Sequence, residues 1–318
     1  MAIIILGTMG LVAGSALVVA FRFIAPPIDE RIEKITDALP GANCGGCGFP
    51  GCSGFAEALA RGKAEMTGCA PGGADCVGQI ATIMGLEAVG MEPKTAMVLC
   101  AGGSDKAKEK YVYEGIATCV SAAAMAGGQK LCPNGCLGYG DCQAICVFDA
   151  IHVTDKGLAV VDREKCTGCA KCVDACPKGI IKLVPRWQQV FVLCSTKLTA
   201  KEVKKFCSVG CTGCKLCTKE CKHITMDGAL AVVRDDIKED DRFPEETALV
   251  CQSGSLLDTR FYDPLDWAAK PEKREDWDKR STALKEERKA ARAAAKAAKA
   301  AKAPEADEDK PAEKKVEK

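Results

Sequence analysis

Cys166-x2-Cys169-x2-Cys172-x3-Cys176-Pro177 is the stretch whose residue types and spacing most directly imply chemistry. Three thiolates on one tight loop suit three irons of a [4Fe-4S] cubane. The fourth cysteine of such a run serves a neighbouring cluster, so two runs exchange ligands. Tetrahedral zinc instead favours two separated cysteine pairs. A second run, Cys211-x2-Cys214-x2-Cys217-x3-Cys221, has Lys222 where proline usually follows. A third is altered: Cys136, Cys142 and Cys146 keep their places, but Tyr139 stands at the middle position and Cys132 lies four residues upstream of Cys136.

These runs belong to a duplication. Adding 75 to Cys119, Cys132, Cys136, Cys142 and Cys146 gives Cys194, Cys207, Cys211, Cys217 and Cys221. Each copy is followed by a hairpin signal. One is 151–154, a turn at Asp155-Lys156-Gly157, then 158–161; the other is 224–226, a turn at Asp227-Gly228, then 230–233. Cysteine loop, hairpin, cysteine loop is the plan of a two-cluster bacterial ferredoxin. Ligand exchange then predicts one cluster on Cys132, Cys136, Cys142 and Cys176, and another on Cys146, Cys166, Cys169 and Cys172. The alternative for the first is that Cys132 serves another cluster with Cys100 or Cys119, and Asp141 or water completes this one. In the second copy no further run follows the hairpin. Cys211, Cys214 and Cys217 therefore take a fourth ligand from Cys194, Cys207, Cys221 or a residue upstream. The pairing of Cys100, Cys119, Cys194 and Cys207 is not set by spacing, and Cys76 and Cys251 read as ordinary buried thiols.

Nearer the N-terminus, Cys44-Gly45-Gly46-Cys47 is followed by Cys52 and by Cys69. The glycines let backbone pass close to a cluster and aim N–H groups at its sulfurs. Ser53 is expected to cap a helix over 54–61 that returns the chain to Cys69. The apolar spacing Ile32, Ile35, Leu39 predicts a helix ended by Leu39-Pro40-Gly41.

Composition agrees with this reading. Twenty-two cysteines stand beside only two histidines, which removes Cys/His zinc fingers and histidine catalysis as main themes. A net charge of +1 excludes whole-chain steering toward nucleic acid. Residues 2–21 are almost unbrokenly apolar, with the first cation at Arg22, so a single membrane helix over 1–25 is expected, ended by Pro26 and Pro27, with the bulk on the cytoplasmic side. There the thiols stay reduced and serve as ligands. No G-x-G-x-x-G between a strand and a helix offers a site for flavin or NAD. The segment 270–318, rich in Ala, Lys and Glu and without an apolar stripe, reads as a solvated helix or a disordered tail.

The anchor, Leu39-Pro40-Gly41-Ala42-Asn43-Cys44-Gly45-Gly46-Cys47 with Cys52 and Cys69, and the ferredoxin repeats together resemble the B subunit of the Rnf ion-translocating oxidoreductase complex, over roughly residues 1–260. The tail lies outside the resemblance. It implies a complex passing electrons between ferredoxin and NAD, coupled to Na⁺ or H⁺ transport, with other membrane and flavin-bearing subunits and soluble ferredoxin as partners. This chain would be its electron-transfer subunit, with no catalytic site of its own. An iron–sulfur subunit of another membrane hydrogenase or reductase, and a non-redox zinc scaffold, are the competing readings. The expected architecture is α+β: a transmembrane helix, a small helical [4Fe-4S] domain over 28–86, a two-cluster ferredoxin-like module over 95–190, and an incomplete second module over 191–260. At least three and as many as five [4Fe-4S] clusters are expected.

Overall fold

The structure is a computed structural model that describes residues 2–24, 29–241, 243–244, 247–261 and 271–301. Pro26, Pro27 and the last part of the tail, 302–318, lie outside the described residues. The chain divides into two units, Met1–Thr95 with Thr167–Lys171, and Ala96–Cys166 with Cys172–Lys318.

The first unit is helical. Helix α1 spans Ala2–Ile24, 23 residues. Counting only the described residues, no helix is long and apolar enough to cross a membrane. Helix α2 (Glu30–Ala38) starts at Asp29, whose carboxylate accepts the Arg31 N–H at 3.0 Å. Ile35 is fully buried and Leu39 nearly so, with Ile32 packed partly against them, as the spacing requires. Helices α3 (Gly51–Ala60) and α4 (Gly73–Met84) complete the layer, contributing Phe55, Ala56, Leu59, Cys76 and Ile80 to the same core. Gly85 closes α4 in the left-handed conformation that glycine adopts without penalty. The expected cap at Ser53 is not made: Ser53 lies inside the first turn of α3. The helix start is held instead by Asn43, whose side-chain oxygen accepts the Cys52 N–H at 2.8 Å.

The second unit is built from short strands and helices around cysteines. Both expected hairpins form: β2 (Ile151–Val153) pairs antiparallel with β3 (Ala159–Val161), and β6 (Ile224–Asp227) with β7 (Leu230–Val233). Strand β1 (Lys94–Val98) pairs with β4 (Ile181–Pro185), and β5 (Val190–Val192) with β8 (Leu256–Asp258). Helices α5 (Cys119–Ala124), α6 (Asp141–Ala144), α7 (Lys171–Ala175), α8 (Ala200–Phe206) and α9 (Leu216–Glu220) are short, because each interrupts a cysteine loop. Thr199 and Glu202 form a capping box at α8. Two apolar cores result, one around Ile151, Val161, Ile180 and Ile181, the other around Val190, Phe191, Leu256 and Leu257.

Helix α10 (Pro271–Ala301) departs from the expectation of a solvated tail at one place. Ser281 is buried and donates to the Leu249 carbonyl at 2.8 Å, Leu284 packs on the second core, and Arg288 reaches Glu220 at 2.9 Å. Positions 281, 284 and 288 share one helical face, a stripe too sparse to register as apolar periodicity.

Candidate metal centres

In the first unit Cys44, Cys47, Cys52 and Cys69 line one cavity, closed by Leu39, Asn43 and Phe55. Sequence reasoning groups these four, and the structure brings them together. Gly45 and Gly48 have positive φ, which lets the loop fold around the cavity. Burial pushes the Cys69 thiol up to about 11 against the draw of the Gly72 N–H. Cys76 is buried beside this set but does not line the cavity.

In the second unit Cys119, Cys136, Cys142 and Cys176 line another cavity, with Leu137, Asp141, Pro177 and Ile180. The expected set has Cys132 in place of Cys119, and the structure places Cys132 elsewhere. The reason is Asp141. Its carboxylate accepts the N–H groups of Cys119 at 2.8 Å and Val120 at 3.0 Å, which swings the start of α5 to the cavity. Tyr139 instead meets the ring of Tyr113 edge-on at 5.5 Å. Burial, reinforced by neighbouring thiols, pushes Cys142 up to about 12 and Cys136 up to about 11.

A third cavity is lined by Cys211, Cys214, Cys217 and Cys251. By spacing Cys251 reads as an ordinary thiol and Cys221 as a ligand; their placements are reversed. Cys221 is buried in the apolar core without lining the cavity, because the chain after the second hairpin runs through Arg234–Asp240 and supplies no run for it to serve. Burial first, then Cys251, Cys211 and Cys214, push Cys217 up to about 12. The duplication could have found this cavity residue: the offset of 75 that relates the two copies also carries Cys176 to Cys251.

Cys132 lies on a fourth cavity with Cys100, Cys194 and Cys207. Cys166 and Cys172 are buried in the first apolar core of the second unit and Cys146 packs against it; the Ala150 N–H meets the Cys146 sulfur at 3.5 Å and the Ala96 N–H meets the Cys166 sulfur at 3.3 Å. Cys169 belongs to the first unit. There a Cβ on Gly46 would stand 2.6 Å from the Cys169 carbonyl oxygen, so the two cysteine loops touch at a place only glycine allows.

One glycine recurs in every run, two residues after its leading cysteine. Gly138, Gly168 and Gly213 all have positive φ, and a Cβ on each would lie 2.4, 2.5 and 2.6 Å from a backbone oxygen of Gly157, Lys94 and Ala229 respectively. The loops are thus pressed onto a strand or hairpin, which aims the thiols at one point. Among the described residues, no three ligating side chains close tightly enough to hold a single ion; the thiols stand around cavities instead. Four thiols around each of these cavities fit the Cys₄ ligation of a cubane.

Four-thiol cavities on glycine loops, with backbone N–H groups directed at sulfur and hairpins between the loops, define a ferredoxin-type iron–sulfur electron carrier. Comparison with known proteins gives the same class. The FeS (Fe-S cluster) family model matches residues 39–71, and the Fer4 model, a 4Fe-4S binding domain, matches residues 159–182. The chain is 44% identical over 207 residues to the B subunit of the Na(+)-translocating ferredoxin:NAD(+) oxidoreductase complex of Acetobacterium woodii, covering 65% of this chain and 62% of that one. It is 37% identical over 219 residues to the B subunit of the ion-translocating oxidoreductase complex of Methanosarcina acetivorans, covering 69% and 83%. It is 39% identical over 212 residues to the B subunit of the proton-translocating ferredoxin:NAD(+) oxidoreductase complex of Clostridium ljungdahlii, covering 66% and 75%. The match thus spans less than two thirds of the Acetobacterium protein. The chain belongs to the family of ion-translocating oxidoreductase complex B subunits, and it carries several [4Fe-4S] clusters.

Proposed function

We propose that this chain is the membrane-anchored iron–sulfur relay of an ion-translocating ferredoxin:NAD oxidoreductase complex. It exchanges single electrons with soluble ferredoxin on the cytoplasmic side and works with flavin-bearing subunits that carry out hydride chemistry. The observation that carries this reading is the set of cavities each lined by four thiols, in both units, within a family of complex subunits.

The ligand sets follow from the cavities: Cys44, Cys47, Cys52 and Cys69; Cys119, Cys136, Cys142 and Cys176; Cys211, Cys214, Cys217 and Cys251. Ligand exchange between the sequence runs adds Cys146, Cys166, Cys169 and Cys172. When bound, a cubane supplies reversible one-electron storage with little change of shape. The chain supplies the thiolates, the N–H groups of Ala96 and Ala150 that favour added negative charge on sulfur, and apolar walls that keep water out. Each thiol that ligates gives up its proton, and burial makes that release unfavourable until iron takes the proton's place.

Helix α1 is the proposed single-pass anchor. What supports this is the apolar sequence from Ala2 to Phe21 and a helix whose 23 residues at 1.5 Å each run about 34 Å. Its Leu6, Leu11, Leu17, Val18 and Phe21 are all exposed, as a lipid-facing helix requires. No charged residue lies within 2–21, so ion translocation falls to other subunits. The proposed domains are 1–25, 28–86, 95–190 and 191–260, with 270–318 as a tail.

Anaerobic mixing of the full chain with chemically reduced ferredoxin tests the reading. Cluster absorbance should bleach as ferredoxin is reoxidised. A chain that is reduced by dithionite but takes no electrons from ferredoxin would refute it.

A further inference from the structure

We propose that Cys100, Cys132, Cys194 and Cys207 hold an additional [4Fe-4S] cluster, lying between the two copies of the duplication; this rests on the reading of the chain as an iron–sulfur carrier. The four thiols face one cavity within the second unit. Its mouth is shaped for sulfur. The Gly102 N–H meets the Cys100 sulfur at 3.4 Å, and the Cys136 N–H meets it at 3.5 Å. Gly102 lies beside both thiols: a Cβ there would stand in ordinary contact with the Cys207 sulfur at 3.5 Å and that of Cys100 at 3.7 Å.

A buried cation supplies the second line of argument. Lys130 is 2% exposed, and its ammonium donates to the Gly102 carbonyl at 2.6 Å. A buried ammonium needs opposite charge nearby, and a neutral carbonyl does not provide it. Gly102 itself lines the cavity, which places the ammonium beside it. A cubane held by four thiolates carries net negative charge in both oxidation states and would balance this lysine.

The duplication explains why these four thiols are free. Tyr139 and Cys214 occupy the same position in the two copies. In the first copy the tyrosine leaves a gap that Cys119 fills. In the second copy Cys214 is present, so Cys194, the counterpart of Cys119, is released to another cavity. Cys132 and Cys207 are likewise counterparts, one from each copy, and both face the cavity. With this set assigned, Cys76 and Cys221 are the two cysteines left outside the five proposed ligand sets.

The test is metal and acid-labile sulfide analysis of the full chain, produced in a host that assembles clusters and purified anaerobically. Five Cys₄ cubanes require about twenty irons per chain, and four require about sixteen. The double substitution Cys132→Ser/Cys207→Ser should remove about four irons and four sulfides, whereas Cys76→Ser/Cys221→Ser should remove none. An unchanged iron count in Cys132→Ser/Cys207→Ser, or zinc released from that site instead of iron, would overturn the proposal. Should that variant fail to accumulate, the unsubstituted chain decides it, about twenty irons supporting and about sixteen overturning. Iron and sulfide absent altogether, with zinc in their place, would instead sink the underlying carrier reading.

Discussion

Replacing Gly213 with alanine isolates what the recurring loop glycine does. Gly213 has φ +65°, and a Cβ there would lie 2.6 Å from the Ala229 carbonyl oxygen. An ordinary contact begins near 3.4 Å, so one backbone segment must move by about 0.8 Å, a displacement that two loops fixed by a hairpin resist. The left-handed conformation costs alanine about 1–2 kcal/mol. Overpacking against backbone adds about 1–3 kcal/mol. Together Gly213→Ala should cost roughly 2–5 kcal/mol, or roughly 4–20 °C in melting temperature for a unit of this size. Gly228 supplies the control: its φ is +62°, yet nothing lies within 4 Å of the position a Cβ would take. Gly228→Ala should therefore cost only the conformational part, about 1–2 kcal/mol. Thermal melts of both variants with clusters bound, and the iron content of each, give the comparison. Equal melting temperatures for the two would refute the pressed-loop account of these runs.

Cys119→Ser should convert one cubane to a three-iron form visible by EPR in the oxidised protein, while Cys132→Ser leaves the Cys136 cluster a four-iron centre; the reverse pattern would restore Cys132 to that site. Asp141→Ala removes the acceptor of two N–H groups at the start of α5 and should lower stability by roughly 1–3 kcal/mol in denaturant titration, with loss of iron from the same centre. Lys130→Met should make a neighbouring cluster harder to reduce, moving its midpoint potential down on the order of 60 mV, a tenfold change for one electron, measured by EPR-monitored redox titration. In cluster-free chain the raised thiols of Cys69, Cys132, Cys142, Cys194 and Cys217 hold their protons more tightly folded than unfolded. Their contribution is complete below the ordinary thiol range and is lost as pH rises toward 11, so the denaturant midpoint should fall over that window. A midpoint that rises there would contradict the assignment.

Local pattern made much of this legible. The Cys44 to Cys69 group, the two hairpins and the helix through Ile32, Ile35 and Leu39 depend on contacts close in sequence, or on glycines that announce a tight loop. What spacing could not give was the partner of an altered run. Cys119 reaches its cavity because the Asp141 carboxylate, 22 residues away, binds the start of α5. No periodicity encodes that distance. Cys251 was hidden differently: it sits alone, outside any Cys-x2-Cys pattern, and only extending the repeat from Cys176 reveals it. The docking of α10 through Ser281, Leu284 and Arg288 was masked by the Ala/Lys composition around it.

The central claim is that this chain is a multi-cluster one-electron carrier. Its most direct test is a stoichiometric reductive titration of the anaerobic full chain, with absorbance and EPR followed together and iron and sulfide measured on the same sample. The account predicts equal iron and sulfide, broad absorbance that bleaches progressively, and uptake of one electron per four irons. A colourless chain with zinc in place of iron and no electron uptake would contradict it.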